Sequence, residues 1–126
     1  MSTFHANSPR DAFSRLETMV MMADLEIPTR VILQQLVSAI KMVVQVSRLQ
    51  DGSRKILSIS EVLGVHDEKV QLQEIFTFER IGVTDSGKVQ GKFHATGVTP
   101  KILERLRVSG IQLPHSIFEE SVAVNL

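Results

Sequence analysis

Cysteine is absent from the 126-residue chain. Disulfides, thiolate zinc sites and cysteine nucleophiles are therefore excluded together, and the lack fits a reducing compartment. Net charge is missing too, since 14 Lys and Arg balance 14 Asp and Glu. The balance holds in each half: residues 1–63 carry 7 basic and 6 acidic side chains, residues 64–126 carry 7 and 8. No basic face stands out in that count, which disfavours a salt-driven nucleic-acid binder. Long hydrophobic runs are also lacking. The uncharged stretch Val31–Ile40 falls far short of the ~20 residues of a membrane span. The start of the chain shows no basic-then-apolar leader. What these absences leave is a cytosolic, mixed globular domain, long enough to bury roughly two thirds of its unfolded surface.

Helix signals come first along the chain. Asn7 or Ser8 can cap free backbone N–H groups, Pro9 suits a first turn, and Asp11 sits near the positive end of the helix dipole. Apolar residues recur at Ala12, Phe13, Leu16, Met19, Val20 and Ala23, which predicts a helix over about 9–23. Pro28 starts a second helix with the stripe Ile32, Leu33, Leu36, Val37 and Ile40. From Met42 the pattern turns β-branched. Asp51-Gly52 signals a two-residue hairpin turn, so residues 42–64 read as a β-hairpin with Leu49 opposite Arg54. Val65–Lys69 reads as a polar loop. Strand-like stretches Val70–Ile81 and Val89–Gly97 flank the turn Thr84-Asp85-Ser86-Gly87 and form a second hairpin. Pro100 opens a short helix that Gly110 stops. A last helical turn is expected within 114–120, and a frayed tail over 121–126.

Candidate chemistry is sparse. Gly82–Lys88 fits G-x-x-x-x-G-K, but Val89 stands where a hydroxyl should hold Mg²⁺, and a strand follows instead of a helix. The segment is read as a turn. His5, His66, His94 and His115 include no pair at helical ligand spacing. His66 and His94 read as solvated surface imidazoles. His5 precedes a helix start where a strand seems to end, a junction that hosts many sites in α/β folds. On the residues alone a structural role for it is still favoured. Glu17, Glu26, Glu61, Glu74 and Glu79 read as scattered exposed carboxylates. Ser nucleophiles lack an elbow motif. Met19, Met21, Met22 and Met42 read as core fillers. Arg48, Arg54 and Lys55 gather at the first hairpin turn, as a solvated rim or as a charged contact to a neighbouring subunit.

One stretch carries a resemblance. Thr3-Phe4-His5-Ala6-Asn7-Ser8-Pro9-Arg10-Asp11-Ala12, then Ser14 to Val20, resembles the His box and following helix of the type II/IV secretion ATPases, in particular the CpaF-type motors of tight-adherence (Flp) pili. The likeness continues in order. It runs through Leu25-Glu26-Ile27-Pro28, Arg48–Lys55, Ile59–Val62, Ile75–Glu79, Gly87–Gly97 and Pro100-Lys101 to Glu104-Arg105-Leu106, so it spans about residues 2–120.

The resemblance implies an α/β fold, the C-terminal portion of a RecA-like P-loop ATPase domain. It would have two N-terminal helices, two β-hairpins and a short C-terminal helical region. Residues 1–65 would belong to the motor core, 66–120 to its C-terminal hairpin and helix region, and 121–126 to a tail. Family members are cytoplasmic hexamers that use ATP and Mg to drive pilus assembly or secretion at the inner membrane. Their Walker A loop, Asp box and Walker B residue would lie N-terminal to Met1, so the chain reads as cut inside its last nucleotide motif. His5 is the one catalytic residue carried over, near the γ-phosphate in the family. Arg10 and Arg15 match the family segment without an assigned role, and Arg48 and Arg54 likewise. On this reading the isolated chain holds no cofactor and hydrolyses no ATP. Its partners would be the missing motor half, homologous subunits or inner-membrane pilus-base proteins. The alternative is a non-catalytic module that docks on a motor hexamer. Exposed apolar surface is expected where the missing half would cover the first helices and hairpin, and with it marginal stability or self-association.

Overall fold

The computed structural model of the chain describes residues 3–23, 27–119 and 123–125, with His115 and 123–125 described through their backbone. It is a mixed α/β structure. In order come α1 (Pro9–Met22), α2 (Thr29–Ala39), β1 (Met42–Arg48), β2 (Arg54–His66), β3 (Lys69–Val83), β4 (Val89–Ala95), α3 (Ile102–Val108), a 3₁₀ turn (His115–Phe118) and β5 (Ala123–Asn125). The strands form one sheet in the order β1-β2-β3-β4-β5, so the two expected hairpins are parts of a single meander.

The chain divides into two compact units that interleave in sequence, 1–43 with 62–73 and 44–61 with 74–126. The family-based reading divides it consecutively instead. In the first unit, Ser8 caps α1. Its Oγ accepts from the Asp11 N–H at 3.0 Å, and Asp11 Oδ2 accepts in return from the Asn7 N–H at 2.9 Å. The arrangement resembles a capping box with Asp in the Glu position, except that the carboxylate takes the N–H of Asn7, one residue before the cap, rather than that of Ser8. Phe13 of α1 and Leu33 of α2 are buried with Val62 and Val70, and Leu36, Val37, Ile40, Val43, Val65 and Leu72 pack around them. The apolar spacing of both helices thus meets the sheet as the 3.6 period requires. Met19, Met21 and Met22 do not join this core. They are exposed, Met22 at 81%, because the buried face of α1 is used up by Phe13 and its half-buried neighbours one and two turns away.

In the second unit, Ile75, Leu103 and Phe118 are buried, with Phe76 and Ile117 against them. Phe76 stacks on Phe93 with centroids 5.5 Å apart and tilts against Phe118 at 5.9 Å. Phe78 lies opposite Phe93 in the register, and its ring covers Gly91. A Cβ at Gly91 would stand 2.1 Å from Phe78 Cζ and 2.6 Å from the Glu79 carbonyl, so only glycine fits there. Arg80 pairs with Gly91 and Gly82 with Gln90, which leaves Ile81 as a bulge. The end of α3 is a Schellman motif: the Ile111 N–H donates to the Leu106 carbonyl and the Gly110 N–H to the Arg107 carbonyl, with Gly110 at φ +88°.

Several expectations are corrected. The first turn is a three-residue loop, not two. The Gly52 N–H donates to the Leu49 carbonyl, and the Leu49 N–H to the Ser53 carbonyl at 2.8 Å. Leu49 therefore pairs with Ser53 rather than Arg54. Gly52 at φ +83° supplies the left-handed residue of a type I turn with a G1 bulge. The turn at Thr84–Gly87 uses the same chemistry, with the Thr84 N–H on the Lys88 carbonyl and Gly87 at φ +84°. The expected loop at 65–69 is a tight turn. β2 runs to His66, β3 starts at Lys69, and Asp67 and Glu68 both hold positive φ, 50° and 59°, the pattern of a type I′ turn. The expected frayed tail pairs with β4 over Ala123–Asn125, with Phe93 opposite Val124. The rest of that tail call, Ser121, Val122 and Leu126, lies outside the described residues, as do Glu120, Leu25 and Glu26. No helix among the described residues is long and apolar enough to cross a membrane.

Candidate functional site

His5 sits in the irregular segment ahead of α1 and is exposed. Of the residues before it only Thr3 and Phe4 are described, and both are irregular. Its backbone is positioned from the C-terminal side. Asp11 Oδ2 takes the Asn7 N–H and also the Arg15 Nε at 3.1 Å, an i,i+4 ion pair. Arg15 thereby has a structural partner: it steadies the carboxylate that fixes the turn after His5. Arg10 is exposed. The chemistry this segment can offer is a solvent-facing imidazole on a short, capped lead into a helix.

The Gly82–Lys88 stretch does form a turn between β3 and β4. Its Thr84 hydroxyl accepts from the Lys88 N–H at 3.0 Å, so loop groups satisfy each other instead of forming a nest for phosphate. This turn touches the first one. Asp51 Oδ2 accepts from the Val89 N–H at 2.7 Å, and Asp51 Oδ1 accepts from the Ser53 N–H at 2.9 Å and from its hydroxyl. The Ser53 hydroxyl, then the Val89 and Ser53 N–H groups, hold the Asp51 carboxyl well below its ordinary 3.8, at about 2. Arg80 Nη2 donates to Gln50 Oε1 at 3.2 Å. A cleft of about 370 Å³ lies here, lined by Asp51, Ser53, Lys55, Thr84, Lys88 and Gln90 among others. A second cleft of about 450 Å³ runs along α3, with Leu103, Ile111 and Leu113 on its wall and Lys101, Glu104 and Arg107 at its edge. Arg107 and Glu104 are ion-paired.

Two polar residues differ from expectation. Glu61 is 5% exposed. Its two oxygens accept from the Lys101 N–H at 2.8 Å and the Ile102 N–H at 2.7 Å, so it caps α3, whose own first residues make no side-chain cap. His94 is half-buried, 29% exposed in its side chain. Its Nε2 lies 2.8 Å from Glu79 Oε2 without hydrogen-bond alignment. His66 is exposed beside Asp67, as expected of a solvated imidazole. The side chain of His115 lies outside the described residues. The structure therefore brings none of the four histidines together as a described cluster. Among the described residues no three His, Asp or Glu side chains gather as a metal group. The chain matches no protein-family model and no curated protein.

Proposed function

We propose that the chain works as the C-terminal part of an ATPase motor of a type II/IV secretion or tight-adherence pilus machine, with His5 acting on nucleotide held elsewhere in the motor. The observation that carries the reading is the ordered run of motif-like segments. It opens with His5-Ala6-Asn7-Ser8-Pro9-Arg10-Asp11 and continues through Gly87–Gly97 to Leu106. The geometry is compatible with it, because His5 faces solvent ahead of a capped helix, free to meet a phosphate brought by another segment. The 126 residues contain no complete Walker A loop, so nucleotide and Mg would be bound by residues outside them. RecA-like ancestry, hexameric assembly and work at the cytoplasmic face of the inner membrane belong to the same proposal.

The exposed Met19, Met21 and Met22 of α1 favour a second reading, a non-catalytic module that docks on a motor or on pilus-base proteins through soft apolar contacts. Purified chain separates both readings from an autonomous enzyme. It is expected to release no phosphate from ATP above the blank, and turnover abolished by His5→Ala would overturn both.

A further inference from the structure

We propose that the outer edge of β1 pairs with the β1 edge of a second copy of this chain, as an antiparallel two-fold dimer that continues the sheet. β1 ends the sheet, with β2 as its one neighbour. The direction of its backbone groups follows from two hydrogen bonds. The Lys41 carbonyl accepts from the Val62 N–H, and the Leu49 N–H donates to the Ser53 carbonyl, both at 2.8 Å. Both bonds reach the β2 side from odd-numbered residues. Met42, Val44, Val46 and Arg48 therefore aim their N–H and C=O groups at the open side. Such a row is a template for another strand, and native edges are normally blunted by charge, proline or shortness.

β1 is not blunted in that way. From Met42 to Ser47 it holds no charge, proline or glycine. Lys41, just ahead of it, turns its Nζ onto the Val37 carbonyl. Arg48, at its far end, lies over its own turn, with Nη2 3.7 Å from where a Cβ on Gly52 would stand. Between them Val44 and Val46 are 51% and 50% exposed. The second copy is the occupant because the strand complements itself. With the two-fold axis at Gln45, Val44 faces Val46 of the other copy, Val43 faces Ser47 and Met42 faces Arg48. All four outward residues of each strand then fall on hydrogen-bonded pairs. β-Branched side chains meet across the axis, and the two copies of Arg48 lie at opposite ends, so no charge meets its like. This pairing closes at two copies, unlike a head-to-tail ring, so the inference stands apart from the motor reading and its hexamer.

Cysteine placement in the full chain tests it, since the chain has none of its own. Gln45 would sit on the axis, at a non-hydrogen-bonded pair whose facing Cα atoms are ~4.5 Å apart, within disulfide reach. Gln45→Cys should therefore give a covalent dimer on air oxidation, read on a non-reducing gel. Ser47→Cys, displaced from its own copy by ~13 Å along the strand in this register, should not. Sedimentation of the unsubstituted chain should show a reversible monomer–dimer equilibrium. Val44→Lys with Val46→Lys sets like charges face to face and should lower the association constant by about ten-fold or more. Val44→Lys with Val46→Glu sets opposite charges face to face in this register and should keep the dimer. Circular dichroism should show every variant folded. A chain that stays monomeric at ~1 mM overturns the proposal and leaves the edge to a strand of another protein. Self-association indifferent to Val44→Lys with Val46→Lys overturns it too, as does a Ser47→Cys crosslink as efficient as that of Gln45→Cys.

Discussion

Removing the Glu61 carboxylate should unseat α3. Glu61 lies in β2, forty residues before the helix it caps, and is buried with both oxygens on backbone N–H groups at 2.8 and 2.7 Å. Hydrogen bonds to a charged group contribute about 1.5–3 kcal/mol each. Glu61→Ala loses two of them and strands two donors at a helix start that has no other side-chain cap. A loss of about 3–5 kcal/mol follows, a large part of the ~5–15 kcal/mol that holds a domain folded. Glu61→Gln keeps one acceptor oxygen but turns an amide NH₂ toward an N–H, so about half of that loss is expected. Urea unfolding followed by far-ultraviolet circular dichroism measures the totals. Amide hydrogen exchange reads the site, where Lys101 and Ile102 should lose protection before Phe13 or Leu33 does. A Glu61→Ala midpoint within ~0.5 kcal/mol of the parent, with those two amides still protected, would refute the capping role.

Three further outcomes follow from the turns and the sheet. Gly91→Ala drives a methyl into the Phe78 ring and the Glu79 carbonyl, and should cost about 1–3 kcal/mol by overpacking; an unchanged thermal midpoint would show that the ring moves freely. Glu68→Gly relieves a positive φ that glycine adopts without strain and should add about 1 kcal/mol, read as a higher urea midpoint; a lower midpoint would mean that the Glu68 side chain matters more than its backbone. Asp51 should titrate with a midpoint at about 2 in the folded chain. Its pKa is depressed on folding, so its contribution to stability is complete above about 4 and lost as pH falls through 2. The carboxyl carbon shift of Asp51 and the amide shift of Val89 should move together; a midpoint near 3.8 would show that the turn-to-turn bond does not persist in solution.

Much of the local structure was legible because one residue decides each feature. Ser8-Pro9 and Asp11 start α1, Gly52 and Gly87 close their turns, and Gly110 ends α3. What stayed hidden depends on partners far off in the chain. A carboxylate in a strand pattern gives no sign that a helix forty residues on will need it, so Glu61 reads as exposed. Asp67-Glu68 lacks the glycine that usually marks a type I′ turn, and a polar loop is the natural reading. Two- and three-residue hairpin loops share the Asp-Gly signal, which shifts the partner of Leu49 by one. The bulge that exposes Ile81 exists only in the register between β3 and β4. Locally His5 was set apart only by its place just ahead of a helix start, and it was the resemblance that made it a site residue; its exposed placement is compatible with that role.

The most direct test of the motor reading is a graft. Residues 3–119 would replace the matching segment of an active tight-adherence ATPase, and steady-state phosphate release would be measured with and without His5→Ala. The motor reading expects the graft to hydrolyse ATP, and His5→Ala to lower kcat by about 10²-fold, the loss typical when a group that stabilises the transition state is removed, with KM little changed. A graft that assembles yet stays inactive, or one whose turnover ignores His5→Ala, would contradict it.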